Sequence, residues 1–281
     1  MRPDNGGLRQ TPLNSMGEIS TLRYEWVLPG ICHIRDGLDV CMTLIAGRGR
    51  ALLVDTGYGL ADVKACVRAL TDLEYDVLLT HGHHDHALGS IWFDRILALP
   101  GEEDVLRIYT GRARREKVLS DSAGRAAPAR GRESWLDMPI PPVQTIAPGP
   151  MDLGGLTAEV IACPGHTPGS AVVYVPERKL LLTGDDWNPV TWLFFPEALP
   201  VRAYRENMRE LMKLPFEHAL CPHRPGLFGR EEVIGFIGGL TDEAIAGARP
   251  CDTGHLMGID TAEAHLPGGQ ALVFDRKKAA L

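Results

Sequence analysis

The tract His81-Gly82-His83-His84-Asp85-His86 constrains the fold of this chain more than any other feature. It follows directly on YDVLLT (residues 75–80), an apolar run that reads as a buried strand. A histidine-rich surface loop has no reason to begin at the exit of such a strand. Imidazole nitrogens suit zinc, and a carboxylate beside them adds charge and a second kind of donor. In an extended loop, residues two apart point the same way. His81 and His83 can therefore share one ion, while Asp85 and His86 face a second beside it.

Further donors stand at similar places. His166 lies in CPGHTPGS, between two predicted strands, where Pro and Gly set a tight turn. Asp185 ends the run KLLLTGD, and His223 lies in ALCPHR. These seven ligand-type residues occupy the ends of four predicted strands. A shared metal centre explains that distribution, whereas unrelated surface loops do not.

Strands are predicted over 24–35, 40–46 and in ALLVDTGYG (51–59), with a helix over ADVKACVRAL (61–70). SIWFDRILAL (90–99) reads as a second helix, and VLRIYTGRARREKVLS as a strand followed by a helix start. Strands return after 157, VRAYRENMRELMKL and REEVIGFIGGL read as helices, and QALVFDR (270–276) as a closing strand. The alternation of strand and helix favours a layered α/β fold. At 281 residues, 44% hydrophobic and 23% charged, the chain is globular. Residues 1–20, rich in Gly, Pro and Asn, are expected to be a flexible leader. Residues 21–281 are expected to form a single domain with insertions at about 100–150 and 187–200. No apolar run reaches the ~20 residues of a membrane helix, and the N-terminus has no apolar signal region. The six cysteines form no CxxC pair, so reduced thiols and a cytoplasmic location are expected. The net charge of −7 argues against general nucleic-acid binding.

With Asp55 in VDTG, the HxHxDH of His81 to His86, His166, Asp185 and His223 in that order, the sequence resembles the metallo-β-lactamase-fold superfamily over roughly residues 24–240. The resemblance implies a four-layer αββα sandwich with two zinc ions in a cleft at its edge, iron or manganese being alternatives. His81, His83 and His166 would hold the first ion. Asp85, His86 and His223 would hold the second, and Asp185 would bridge both. Asp55 would orient a ligand histidine from behind, the other reading being a strand-end turn residue. His84 should point away from the metals. In the implied mechanism a metal-activated hydroxide attacks a carbonyl carbon, and Asp85 handles the proton as the catalytic residue.

The substrate class expected is an ester, thioester or lactone. A zinc phosphodiesterase or nuclease, a non-hydrolytic member of the fold, or β-lactam hydrolysis as a side activity remain alternatives. A glutathione thioester is disfavoured, because the tail carries few basic residues before Arg276, Lys277 and Lys278. Trp187, Trp192, Phe194 and Phe195 follow Asp185 closely and either wall an apolar pocket, pack as core, or form a dimer contact. Asp186 and Asn188 either bond substrate or a ligand, or serve a turn. The basic segment 105–135 either attracts an anionic substrate or is a solvated surface. A small-molecule substrate is the expected partner, without membrane, with nucleic acid disfavoured and a homodimer left open.

Overall fold

The computed structural model describes residues 15–279. Most of the expected leader lies outside them. Within it, Met16–Ile19 form the first strand, β1, which pairs with Leu22–Leu28 (β2). The first sheet continues in chain order through Ile31–Arg35 (β3), Cys41–Ala46 (β4), Ala51–Val54 (β5), Tyr75–Leu78 (β6), Ile96–Ala98 (β7) and Val143–Thr145 (β8). A second sheet holds Gly149–Asp152 (β9), Thr157–Ala162 (β10), Ala171–Val175 (β11), Leu180–Leu182 (β12), His218–Cys221 (β14) and Arg224–Gly229 (β15), in the order β15-β14-β12-β11-β10-β9. A third, smaller sheet joins Val190–Leu193 (β13) to Arg249–Cys251 (β16), Thr261–Leu266 (β17) and Gln270–Asp275 (β18).

Side-chain alternation turns these sheets into layers. In β5, Leu52 and Val54 face a core shared with Ala158, Val160, Val173 and Leu182 of the second sheet. Ala51 and Leu53 face the opposite way, onto Cys66 and Val67 of the helix Val63–Leu70 (α1). The outer face of the second sheet, with Val172, Leu181 and Ala219, packs on Tyr204 and Met208 of Val201–Leu211 (α6) and on Phe236 of Arg230–Gly239 (α7). Three apolar interfaces separate four layers, helix on sheet on sheet on helix, with the small third sheet added on the outside.

The expected helix over 90–99 is not formed. Residues 88–92 make a short 3₁₀ turn, and Ile96–Ala98 are strand β7, parallel to both neighbours. Ile96 enters the outer core and Leu97 the inter-sheet core. A short run buried on both faces carries no helix-versus-strand periodicity to read. The segment expected to open with a strand after 104 holds two helices instead, Glu103–Tyr109 (α3) and Arg112–Asp121 (α4), followed by the short helix Arg132–Asp137 (α5). The expected strand 24–35 is a hairpin that breaks at Gly30, whose φ of 80° favours glycine. Among the described residues no helix is long and apolar enough to cross a membrane.

Candidate metal centre

Strand pairing places the ligand-bearing loops together. β5 is parallel to β6 and β12 is parallel to β14, so each pair releases its chain at the same edge. Asp55 leaves β5, His81 follows β6, Asp185 follows β12 and His223 follows β14, while His166 comes from the loop between β10 and β11. The tract is extended only as far as His83. His84–Ala87 then form one helical turn (α2), closed by His86 and Ala87 backbone N–H groups donating to the His83 carbonyl. That turn swings Asp85 and His86 away from the side on which His83 points.

Two glycines allow the approach. A Cβ on Gly82 would lie 2.8 Å from the Leu106 nitrogen, and one on Gly184, at φ 50°, would lie 2.9 Å from Thr80 Cβ. The Gly82 N–H donates to Glu102 Oε2 at 2.6 Å. The same carboxylate accepts from Thr167 Oγ1 at 2.6 Å and from the Gly169 N–H at 2.8 Å. Glu102, which no motif marks, thus ties the histidine tract to the His166 loop. Burial raises its pKa, and these donors oppose the rise.

The donor atoms gather in two groups, His81, His83 and His166 in one and Asp85, His86, Asp185 and His223 in the other, each within 4.8 Å. Asp185 lies between them. Its Oδ2 is 3.6 Å from His166 Nε2 and 4.0 Å from His81 Nε2, and its Oδ1 is 3.0 Å from His223 Nε2 and 3.5 Å from His86 Nε2. Asp85 Oδ2 is 3.5 Å from His223 Nε2 and 3.7 Å from His86 Nε2.

The outer nitrogens of four rings each meet an oxygen. His86 Nδ1 donates to Asp55 Oδ2 at 2.9 Å. His166 Nδ1 donates to the Trp192 carbonyl at 2.7 Å. His81 Nδ1 is 3.1 Å from Thr80 Oγ1, which itself donates to Asp55. His83 Nε2 is 2.5 Å from Glu197 Oε1. In all four rings the outer nitrogen has an oxygen able to accept its proton, which leaves the inner nitrogen for a metal. His81 Nε2 and His86 Nε2 are buried there with no hydrogen-bond partner. Unpartnered buried imidazole nitrogens beside two carboxylates fit a metal cation, because leaving them empty-handed is costly.

The electrostatics agree with this fit. Burial and the neighbouring rings of His86, His83 and His166 hold His81 well below the ordinary histidine value. Burial, then His83, lowers His166 to about 4. Burial would also lower His86, but Asp185, Asp55 and Asp85 outweigh it and carry it well above. Burial would raise Asp85, but His86, His84 and His223 bring it down to about 2.

Other residues singled out from sequence divide. His84 turns from both groups and packs edge-on against Tyr58 at 5.6 Å and parallel to Tyr109 at 6.1 Å. Asn188 Nδ2 donates to Asp185 Oδ1 at 3.1 Å, and Asp186 accepts the His166 N–H at 3.3 Å, so both support ligands from behind and neither lines a cleft. Trp187 is fully buried, donates from Nε1 to Gln270 Oε1 at 3.0 Å and packs on Phe228; it belongs to the core and not to a pocket wall. Phe194 is buried too, stacked behind Phe195 at 4.7 Å. Phe195 lies 4.5 Å from the His83 ring and 5.4 Å from His166, beside Trp192, which is 46% exposed. Sequence order alone could not separate these four aromatics, because only Trp192 lies in β13, at one of its exposed positions, and the other three lie on either side of that strand.

Most of the basic segment is occupied by its own neighbours. Arg107 pairs with Asp104, Lys117 with Asp121, Arg125 with Asp39, and Arg112 with Glu116, Glu133 and Asp137. Arg115 is buried and donates to the carbonyls of Thr110, Trp135 and Met138. Arg114 rests on the Tyr109 ring at 4.8 Å.

Comparisons with known proteins agree with this geometry. The sequence model of the metallo-beta-lactamase superfamily matches residues 35–223. The chain is 26% identical over 214 residues to acyl-coenzyme A thioesterase MBLAC2 of Bos taurus, covering 68% of this chain and 75% of that one. It is 34% identical over 126 residues to a hydroxyacylglutathione hydrolase of Acidiphilium cryptum, covering 45% of this chain and 40% of that one. A metallo-beta-lactamase family protein of Thermus thermophilus superposes with a TM-score of 0.52 at 21% identity, over 75% of this chain and 79% of that one, a likeness of fold alone.

Proposed function

Since this chain belongs to the metallo-beta-lactamase superfamily, we propose that it is a hydrolase that works with two divalent ions, zinc in both positions, on an acyl thioester or a related ester or lactone. The observation that carries the reading is the pair of donor groups meeting at Asp185, with unpartnered His81 Nε2 and His86 Nε2 turned into them. Three imidazoles would hold the first ion, and Asp85, His86 and His223 the second, with Asp185 shared. Bound there, the ions supply a water that deprotonates near neutral pH and a Lewis acid for the carbonyl oxygen.

The rest is the work of the chain's own groups. Asp85 Oδ2 faces His86 and His223, which sets this carboxylate beside the second donor group, where it can take a proton from the attacking water and return it to the leaving group. Asp55, Thr80 and the Trp192 carbonyl accept at the outer ring nitrogens and so orient the inner nitrogens towards the centre. Phe195 and the exposed part of Trp192 offer an apolar surface beside the first donor group, suited to an acyl chain. The two relatives named above support the thioester among the carbonyl substrates, since both bear the names of thioester hydrolases.

The test is metal analysis of the purified protein together with a panel of acyl-CoA, acylglutathione, lactone, β-lactam and phosphodiester substrates. Two equivalents of metal per chain and thioester turnover that a chelator removes and zinc restores are expected. A fully loaded protein that cleaves only the phosphodiester would refute the reading.

A further inference from the structure

Of the four ligand histidines with an outer partner, His83 has the one most distant in sequence. Thr80 adjoins His81, and Asp55 ends a strand paired with β6. Glu197 lies 114 residues beyond His83, in the turn before α6. Its carboxylate is largely buried and 2.5 Å from His83 Nε2. The Tyr109 ring lies 4.3 Å from the His83 ring. The Phe195 ring lies 4.5 Å from the His83 ring and 6.3 Å from that of Tyr109.

The turn bearing Glu197 is anchored from outside. Lys278, at the end of the described chain, donates from Nζ to the carbonyls of Phe195, Pro196 and Ala198 at 3.0, 2.7 and 2.6 Å. An ammonium has three protons, and all three go to carbonyls that bracket Glu197. The Leu199 N–H fixes the far side by donating to the Gly165 carbonyl, next to His166.

We propose that Glu197 is a positioning residue for the first metal position, and that the C-terminal tail holds it there through Lys278. By accepting the Nε2 proton, Glu197 keeps the His83 lone pair on Nδ1, the atom turned towards His166 Nε2 at 2.9 Å. Without that acceptor the ring is free to carry its proton on Nδ1 or to rotate, and the first group loses one of three imidazoles. The proposal rests on the two-metal reading above.

Stepwise titration of the metal-free protein with cobalt(II) against a competing chelator tests it, with His223→Ala as the reference that removes a donor from the second group alone. Glu197→Ala is expected to weaken the first position tenfold to a hundredfold, the range for the outer partner of a ligating histidine, and to leave the second unchanged. Glu197→Gln should fall between, because its amide oxygen still accepts the Nε2 proton. Lys278→Met should weaken the same step several-fold. Should Glu197→Ala fail to fold, the Gln and Lys278 variants carry the test. Lower melting temperatures with both affinities intact in these variants would mean a structural role and overturn the proposal. A wild-type protein that binds no second equivalent would overturn the two-metal reading, and with it this one. Two equivalents in wild type with indifferent Glu197 variants would overturn this one alone.

Discussion

Asp55→Asn separates the metal-orienting role of Asp55 from a turn role by a calculable margin. Asp55 has φ 63°, in the left-handed region, which Asn tolerates as readily as Asp. The replacement therefore adds neither volume nor backbone strain. The native carboxylate accepts from the Thr80 N–H at 2.8 Å through Oδ1, and from Thr80 Oγ1 and His86 Nδ1 at 2.9 Å through Oδ2. An amide has a single acceptor oxygen. If that oxygen serves Thr80, the NH₂ meets His86 Nδ1, and the clash of two donors is relieved only when His86 moves its proton to Nε2. That atom is the buried, unpartnered one, 3.5 Å from Asp185 Oδ1. A proton there removes the lone pair that a metal needs. The expected loss is tenfold to a hundredfold in affinity at the second position, or about 1.4–2.8 kcal/mol. The first position, reached only through Thr80 and His81, should change far less. Stepwise metal titration against a chromophoric chelator reads both affinities, and melting curves with and without metal read the fold. A turn role alone predicts an equal fall in melting temperature in both melts. Second-step affinity within twofold of wild type in a folded variant would refute the reasoning.

Other outcomes follow from the same geometry. Asp85→Asn keeps the side-chain volume but removes the proton-carrying carboxylate, so kcat should fall on the order of 10²-fold at full metal content; near-wild-type turnover would remove its proton role. Trp187→Ala empties a core site and should cost about 3–5 kcal/mol of stability by chemical denaturation, with equal proportional effects on all substrates. Phe195→Ala should instead lower kcat/KM roughly tenfold or more for long acyl chains and little for an acetyl ester; equal losses on both would end the pocket role of Phe195. Burial first, then the charge of Arg35, lowers His33 from 6.5 to about 4. The unfolded chain therefore binds the extra proton between those values, and stability falls as pH drops from 6.5 towards 4, by about 3 kcal/mol from this group, with no contribution above that window. Urea unfolding of metal-free wild type and His33→Gln at pH 7 and pH 4.5 measures the difference, and an identical fall in both proteins would exclude His33 as the cause.

The ligand loops were legible in the sequence because each begins where an apolar strand ends, and a strand end is the most visible boundary a chain has. The HxHxDH tract, His166, Asp185 and His223 announce themselves by residue type at such boundaries. What the sequence could not show is contact across distance. Glu102 and Glu197 look like surface carboxylates, and only the closeness of Gly82 to α3 and of His83 to the turn before α6 reveals their partners. The strand Ile96–Ala98 was unreadable for another reason, since three residues buried on both faces present no period. The aromatic run after Asp185 was legible as a cluster but not as a division of labour. Trp187 lies in the core and Phe195 beside His83 because the third sheet, formed with the C-terminal strands, turns the chain between them.

That third sheet bears on how the centre is balanced. Asp55, Asp85, Asp185 and Glu197 are the four carboxylates paired with the clustered histidines, and among the described residues their ion pairs are with histidines alone. Concentrating four negative charges in a buried region is unfavourable without matching positive charge. The two divalent ions proposed for the donor groups would bring four positive charges to this region. Without them the burden falls on protons held by the rings, and Asp185 indeed lifts His223 above its ordinary value, against burial. The fourth carboxylate arrives only because β13 pairs with β18 and the tail closes over the turn that follows. The tail is therefore part of the electrostatics of the centre, although it lies in the sequence far beyond the last ligand, His223.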